Sequence, residues 1–139
     1  MEGNNKDPRS KTILVVDDDV SILDLFELAL VREGFNAMRL PSGDKVIQIV
    51  TKKGSIVDLI ILDLMLPGKD GIAILKELQK NGATSIPIFI VTAKALSSEE
   101  VAKLKSEPNV KDFFQKPVNV KQLSARVHEI LGTVSKKAL

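Results

Sequence analysis

Residues 12–19 read TILVVDDD. Five apolar or β-branched residues run together, and three aspartates follow at once. Alternation would mark a strand with one wet face. An uninterrupted run suits a strand covered on both faces, as in a parallel sheet. The chain repeats the device: LIIL (59–62) stops at Asp63, IPIFIV (86–91) stops at Thr92, and a short strand over 112–115 stops at Lys116-Pro117. Asn36–Leu40 reads as one more short strand.

Helical patterns fill the gaps. Val20–Glu33 has helical spacing and Gly34 follows as a stop. Pro41-Ser42-Gly43 is a turn before a helix over 44–53, ended by Gly54. Pro67-Gly68 leads into a helix over 71–80 closed by Asn81-Gly82. Ser97 and Glu100 have capping-box spacing for a helix to about Ser106. Asn119 caps a last helix with Val120, Leu123, Val127, Ile130 and Leu131 on one face. Five strand–helix units in strict alternation predict an α/β fold, a doubly wound parallel sheet with five helices on its two sides. The expected boundaries are a flexible arm over 1–11, a single domain over 12–131, and a tail or linker stub over 132–139.

The 139 residues are 44% hydrophobic and 27% charged, a globular balance. Formal net charge is +2, but the tails carry it: residues 1–11 contribute +1, residues 134–139 contribute +2, and the stretch between is −1. That excludes a strongly basic nucleic-acid face on the domain. There is no cysteine, so thiolate metal sites, disulfides and cysteine nucleophiles are excluded. A single histidine, His128, cannot build a multi-histidine metal site, and it reads as an ordinary surface residue of the last helix. No apolar run approaches the ~20 residues that span a bilayer, and the polar N-terminal stretch is no secretory signal. The expected location is cytoplasmic, with no membrane partner. The absence of Trp and Tyr argues against a stacking platform for single strands.

In an open α/β sheet the strand C-termini share one rim, where ligands bind. Here that rim would collect Asp17, Asp18 and Asp19, then Asp63, Thr92 and Lys116. Converging carboxylates repel, and a divalent cation with oxygen ligands relieves the repulsion. A hydroxyl and an ammonium opposite could hold further oxygens of a phosphoryl group, and a carboxylate can be its acceptor. The plain alternative is that Asp18 or Asp19 merely caps a helix.

ILVVDDD (13–19), LIILDLMLPGKDG (59–71), IFIVTAKA (88–95) and DFFQKPV (112–118) together resemble the receiver domain of two-component response regulators. The resemblance covers about 12–131. It implies a flavodoxin-like sheet in strand order 2-1-3-4-5. It implies that Asp63 accepts a phosphoryl group from a sensor histidine kinase or a phosphotransfer protein. Asp17, Asp18, Asp63 and the carbonyl of Met65 would bind Mg²⁺ or Mn²⁺, Thr92 would be the switch hydroxyl, and Lys116 would bind the phosphoryl group. Pro117 follows Lys116 as in the family, often with a cis bond, and Pro67 and Gly71 match its turn after Asp63. The protein would then catalyse its own phosphorylation without being a conventional enzyme. Phe113, three before Lys116, stands where the family usually has a switch tyrosine. Asp112 replaces a residue that is often small. Met65 and Lys94 occupy positions that tune water access, and an apolar Met with a long Lys predicts slow autodephosphorylation.

Helix 20–33 has more apolar residues than one buried stripe needs. Ile22, Leu25, Phe26, Ala29 and Leu30 suit the core. Leu23 and Leu28 would then face outward and, with Val118, dock the kinase. The surface formed by the fourth helix, fifth strand and fifth helix would serve output, with a phosphorylation-dependent dimer as one form. Two other readings stand beside this one. DDDVS (17–21) also fits the D-x-D-x-[S/T/V] pattern of haloacid-dehalogenase-like phosphatases, with Asp17 as nucleophile and Asp19 as acid/base. The alternative to both is a binding module that is never phosphorylated. P-loop and dinucleotide-binding patterns are absent.

Overall fold

The computed structural model describes residues 6–68 and 70–136. Five parallel strands form one sheet in the order β2-β1-β3-β4-β5. They are β1 Thr12–Val16, β2 Asn36–Leu40, β3 Val57–Asp63, β4 Ile88–Thr92 and β5 Val110–Gln115. Between and after them come α1 Val20–Glu33, α2 Val46–Thr51, α3 Gly71–Lys80, α4 Ser98–Lys105 and α5 Val120–Leu131.

The unbroken apolar runs have a direct cause. Successive side chains of β1, β3 and β4 enter opposite layers. Leu14, Val16, Ile60, Leu62, Ile88 and Ile90 pack with α2, α3 and α4. Ile13, Val15, Leu59, Ile61, Phe89 and Val91 pack with α1 and α5 through Leu23, Phe26, Leu30, Leu123 and Val127. Both faces are dry, so both parities must be apolar.

Caps and stops end the helices where the sequence places them. Asp19 accepts from the Ser21 amide, Asp70 from Ala73, and Asn119 from Lys121 and Gln122. Ser97 and Glu100 form a complete capping box. Gly34 closes α1 at φ 108°, in the left-handed region that favours glycine. The α2 helix is shorter than the expected 44–53: Lys45 precedes it without a side-chain cap, and Lys52 turns to extended backbone and ends it. Strand β3 starts earlier than expected because Val57 pairs with Thr12 ahead of an irregularity in register, where the Thr12 amide donates to the Asp58 carboxylate at 2.8 Å. Strand β4 starts at Ile88 rather than 86, since Pro87 has no amide to pair.

Three expectations change. Leu23 is buried, 2% exposed, and does not face solvent, whereas Leu25 is 43% exposed. The sheet-facing stripe of α1 is Leu23, Phe26 and Leu30, spaced i, i+3, i+7, and this rotation puts Leu25 outside. His128 is not an ordinary surface residue. Its ring nitrogens lie 2.9 Å from Glu33 Oε1 and 2.8 Å from Thr133 Oγ1, and its ring packs on Phe35 with centroids 4.7 Å apart. Residues 6–11 are packed rather than a free arm. Asp7 caps a 3-10 turn Pro8–Ser10, Pro8 is buried, and the Asn36 side chain donates to the Arg9 and Lys11 carbonyls. Beyond α5, the Val134 amide donates to the Lys6 carbonyl at 3.0 Å, so the two ends of the described chain meet. The remainder of the expected arm, 1–5, and tail residues 137–139 lie outside the described residues.

Candidate functional site

The sheet brings its C-terminal rim together because neighbouring strands end in register. Val16 pairs with Leu62, Asp63 with Val91, and Thr92 with Gln115. One residue past each pairing, the chain turns and the polar side chains converge. Carboxylate oxygens of Asp17, Asp18 and Asp63 lie within 4.8 Å of one another. Asp17 and Asp63 are nearly sealed from solvent, and Asp18 is exposed.

Lys116 lies between the two buried acids. Its ammonium donates to Asp17 Oδ2 at 2.7 Å and to Asp63 Oδ2 at 3.1 Å. The remaining oxygens are held by backbone: Asp17 Oδ1 accepts from the Asp19 amide, and Asp63 Oδ1 from the Met65 amide, both at 2.9 Å. Lys116 itself is fixed by the hydrogen bond that its backbone amide donates to the Thr92 carbonyl, and the Lys116–Pro117 peptide is cis. Burial raises the Asp63 carboxyl above its ordinary value and the Asp17 charge adds to this, against the Met65 amide and Lys116. For Lys116 burial is the largest single influence and acts downward. The hydrogen bonds and charges of Asp17 and Asp63 together outweigh it and hold the ammonium above its ordinary value.

Thr92 is fully buried at the end of β4, and its Oγ1 accepts from the Lys94 amide at 3.1 Å. Phe113 is half-buried, paired in register with Ile90, and packs into the layer of α2, α3 and α4. Met65 and Lys94 both stand exposed beside the rim. Leu28 is exposed on the outer side of α1, while Val118 is half-buried against the α1 and α5 layer, so the expected docking trio does not form one exposed patch. Asp19 caps α1 instead of entering the carboxylate cluster.

Gly71 explains why the loop after Asp63 has its shape. A Cβ there would meet the Asp63 carbonyl and the Leu64 Cα at 2.7 Å each. Gln115 escaped sequence reasoning, and Asp112, noted there only as a departure from the family pattern, gains a role. The Gln115 side chain donates to the Thr92 and Ala93 carbonyls, tying down the segment after β4. Asp112 accepts from Arg126 Nε at 2.6 Å, which joins β5 to α5. Neither carries a local signal, since each partner is brought near by the fold alone.

A sequence profile of the response regulator receiver domain matches residues 13–128. The chain belongs to this family. The receiver fold is also found among solved structures. The signal receiver domain of a putative Luxo repressor protein from Vibrio parahaemolyticus superposes with TM-score 0.78 at 28% identity, covering 88% of this chain and 90% of that one. A putative response regulator from Chloroflexus aurantiacus gives 0.74 at 31%, covering 88% and 98%. Among curated proteins, the transcriptional regulatory protein CpxR of Klebsiella pneumoniae is 36% identical over 119 residues, 86% of this chain and 48% of that protein. The uncharacterized transcriptional regulatory protein YrkP of Bacillus subtilis is 35% identical over 115 residues, 83% and 47%. This receiver chain thus spans about half the length of the curated relatives it matches. Among its described residues no helix is long and apolar enough to cross a membrane.

Proposed function

We propose that this receiver domain is a phosphorylation switch in which Asp63 accepts a phosphoryl group from the phosphohistidine of a sensor kinase or phosphotransfer protein. The observation that carries this is the placement of Lys116, bonded to both Asp17 and Asp63 at the bottom of a rim of carboxylates. An Asp63 oxygen forms the new O–P bond as the P–N bond of the donor breaks, and the bond's electron pair leaves with the imidazole. The Met65 amide holds Asp63 Oδ1, which orients the carboxylate. The Lys116 ammonium would hold a phosphoryl oxygen, and the Thr92 hydroxyl, whose oxygen accepts from the Lys94 amide, would donate to another.

The donor set fits a hard divalent cation, because carboxylate oxygens of three aspartates lie within 4.8 Å and, among the described residues, one ammonium is bonded to them. Asp17, Asp18, Asp63 and the Met65 carbonyl would hold Mg²⁺ or Mn²⁺. When bound, the cation offsets the negative charge of the transferring phosphoryl oxygens.

Movement of Thr92 would free space beside β4 for Phe113. That ring has no hydroxyl, so the coupling would be steric. Met65 and Lys94, both exposed beside the rim, would hinder an attacking water and slow autodephosphorylation. Leu28 would contribute to kinase docking, and the α4–β5–α5 surface to output or a phosphorylation-dependent dimer. A cytoplasmic place beside a kinase, upstream of a transcriptional output like that named for CpxR, fits the relatives.

Treatment with acetyl phosphate and Mg²⁺ should label the wild type and not Asp63→Asn. Label on Asp17 would favour the phosphatase reading. No label from any donor would favour a binding module.

A further inference from the structure

On the sheet face shared by α1 and α5, a groove of about 430 Å³ runs between the two helices. That size falls in the ~300–1,000 Å³ range of small-molecule sites. The groove shares no lining residue with the carboxylate cluster of the rim. Small side chains keep it open: Ala29 from α1, and Ser124 and Ala125 from α5.

Ser124 is the informative residue. It is only 6% exposed, yet its hydroxyl has no hydrogen bond among the described residues. No sealed side-chain oxygen or nitrogen among those residues lacks a partner, so the Ser124 oxygen is not sealed. What remains of its surface opens into the groove that it lines. A hydroxyl so placed has a donor to give to a ligand oxygen.

The charges around it are unevenly engaged. Every acid on α1 and α5 already has a partner: Asp24 and Glu27 meet Arg39, Glu33 meets His128, and Glu129 meets Arg126. Of these acids only Glu33 lines the groove. The Arg32 guanidinium and the Lys121 ammonium line it too, and neither makes a hydrogen bond or ion pair among the described residues. No acid stands within four residues of Lys121 on either side, and Glu33 is the only one that close to Arg32. The lining thus carries two open cations against one engaged acid.

We propose that this groove binds a phosphoryl oxyanion, free or carried on a small ester, with one oxygen on the Ser124 hydroxyl and the others between Arg32 and Lys121. A phosphoryl group has enough oxygens to meet a hydroxyl, a guanidinium fork and an ammonium together, and the two oxygens of a carboxylate do not. The room beside Ala29 and Ala125 admits a small organic body. None of this depends on the role proposed for Asp63.

The test titrates the whole ¹⁵N-labelled chain, without Mg²⁺ and at fixed ionic strength, with phenyl phosphate, inorganic phosphate and, as the uncharged comparison, phenol. Phenyl phosphate should give saturable shifts of the amides of residues 29–33 and 120–128, and phenol should not. Ser124→Ala removes a hydroxyl that has no partner in the free protein. The thermal midpoint should therefore hold while affinity falls about tenfold, the low end for a hydrogen bond to a charged group. Arg32→Gln and Lys121→Gln should each weaken binding about two- to five-fold, as partly exposed ion pairs do. Equal affinities for the two phosphates would identify free phosphate as the ligand, and tighter phenyl phosphate an ester; either supports the site. Absence of saturable shifts, shifts confined to residues 63–65 and 92–94, or wild-type affinity in Ser124→Ala would overturn it.

Discussion

At the scale of single residues, the rim is a compromise between chemistry and stability. Asp63 is nearly sealed, and its carboxyl is raised above the ordinary value of 3.8, first by burial and then by the Asp17 charge. A carboxyl raised on folding holds its proton more tightly in the folded state. Its contribution to stability is present below 3.8 and is lost as pH rises through the folded value. At neutral pH Asp63 therefore acts against folding. Without divalent cation, Asp63→Asn should raise the thermal midpoint at pH 7, and the gain should vanish below pH 3.8. Melting curves across that range check it, and an unchanged midpoint at pH 7 would contradict the assigned burial cost. Lys116 is the only ammonium bonded to these acids among the described residues, so its role is also partly structural. The pairing was readable as composition, acids and a lysine at strand ends. The 2.7 and 3.1 Å contacts were not, because 99 and 53 residues separate the partners.

At the scale of elements, α1 shows what periodicity leaves undecided. Its apolar residues fall on nearly every side, so sequence spacing admits more than one buried stripe. Packing on β1 and β3 selects Leu23, Phe26 and Leu30. Leu23→Ala should cost about 2–5 kcal/mol, the range for a leucine lost from a core. Leu28→Lys should stay within about 0.5 kcal/mol, as surface changes do, yet reduce phosphotransfer from the kinase. Denaturant melts and a transfer assay read these separately. The start of α3 is similarly determined by contact rather than propensity. Gly71→Ala drives a methyl onto the Asp63 carbonyl and the Leu64 Cα, and should cost about 1–3 kcal/mol. Because the displaced backbone carries Asp63, acetyl-phosphate labelling should fall as well. A mutant that melts normally and labels normally would show that the loop gives way without cost.

For the whole molecule, the net charge hides a local concentration of acids at one end of the sheet. Binding of Mg²⁺ to the folded form alone should stabilise it by mass action, about 2.7 kcal/mol at a hundred times the dissociation constant. The thermal midpoint should thus rise with Mg²⁺ in the wild type and far less in Asp17→Asn or Asp63→Asn. Equal rises in all three would place the cation elsewhere. The amino-acid order alone determined the alternation of strands and helices, the caps, and the acids, hydroxyl and lysine at the strand ends. These are local properties, written in periodicity and in single capping or turn residues. Tertiary structure alone decided which face of α1 is buried, how Asp112 meets Arg126, and that His128 joins Glu33 and Thr133. It also packed residues 6–11 against α1, β2 and the segment after α5. The physical reason is one of range. A helix with apolar residues all round, or a charged side chain with no partner nearby in sequence, has several acceptable local placements, and only packing distant segments together selects one.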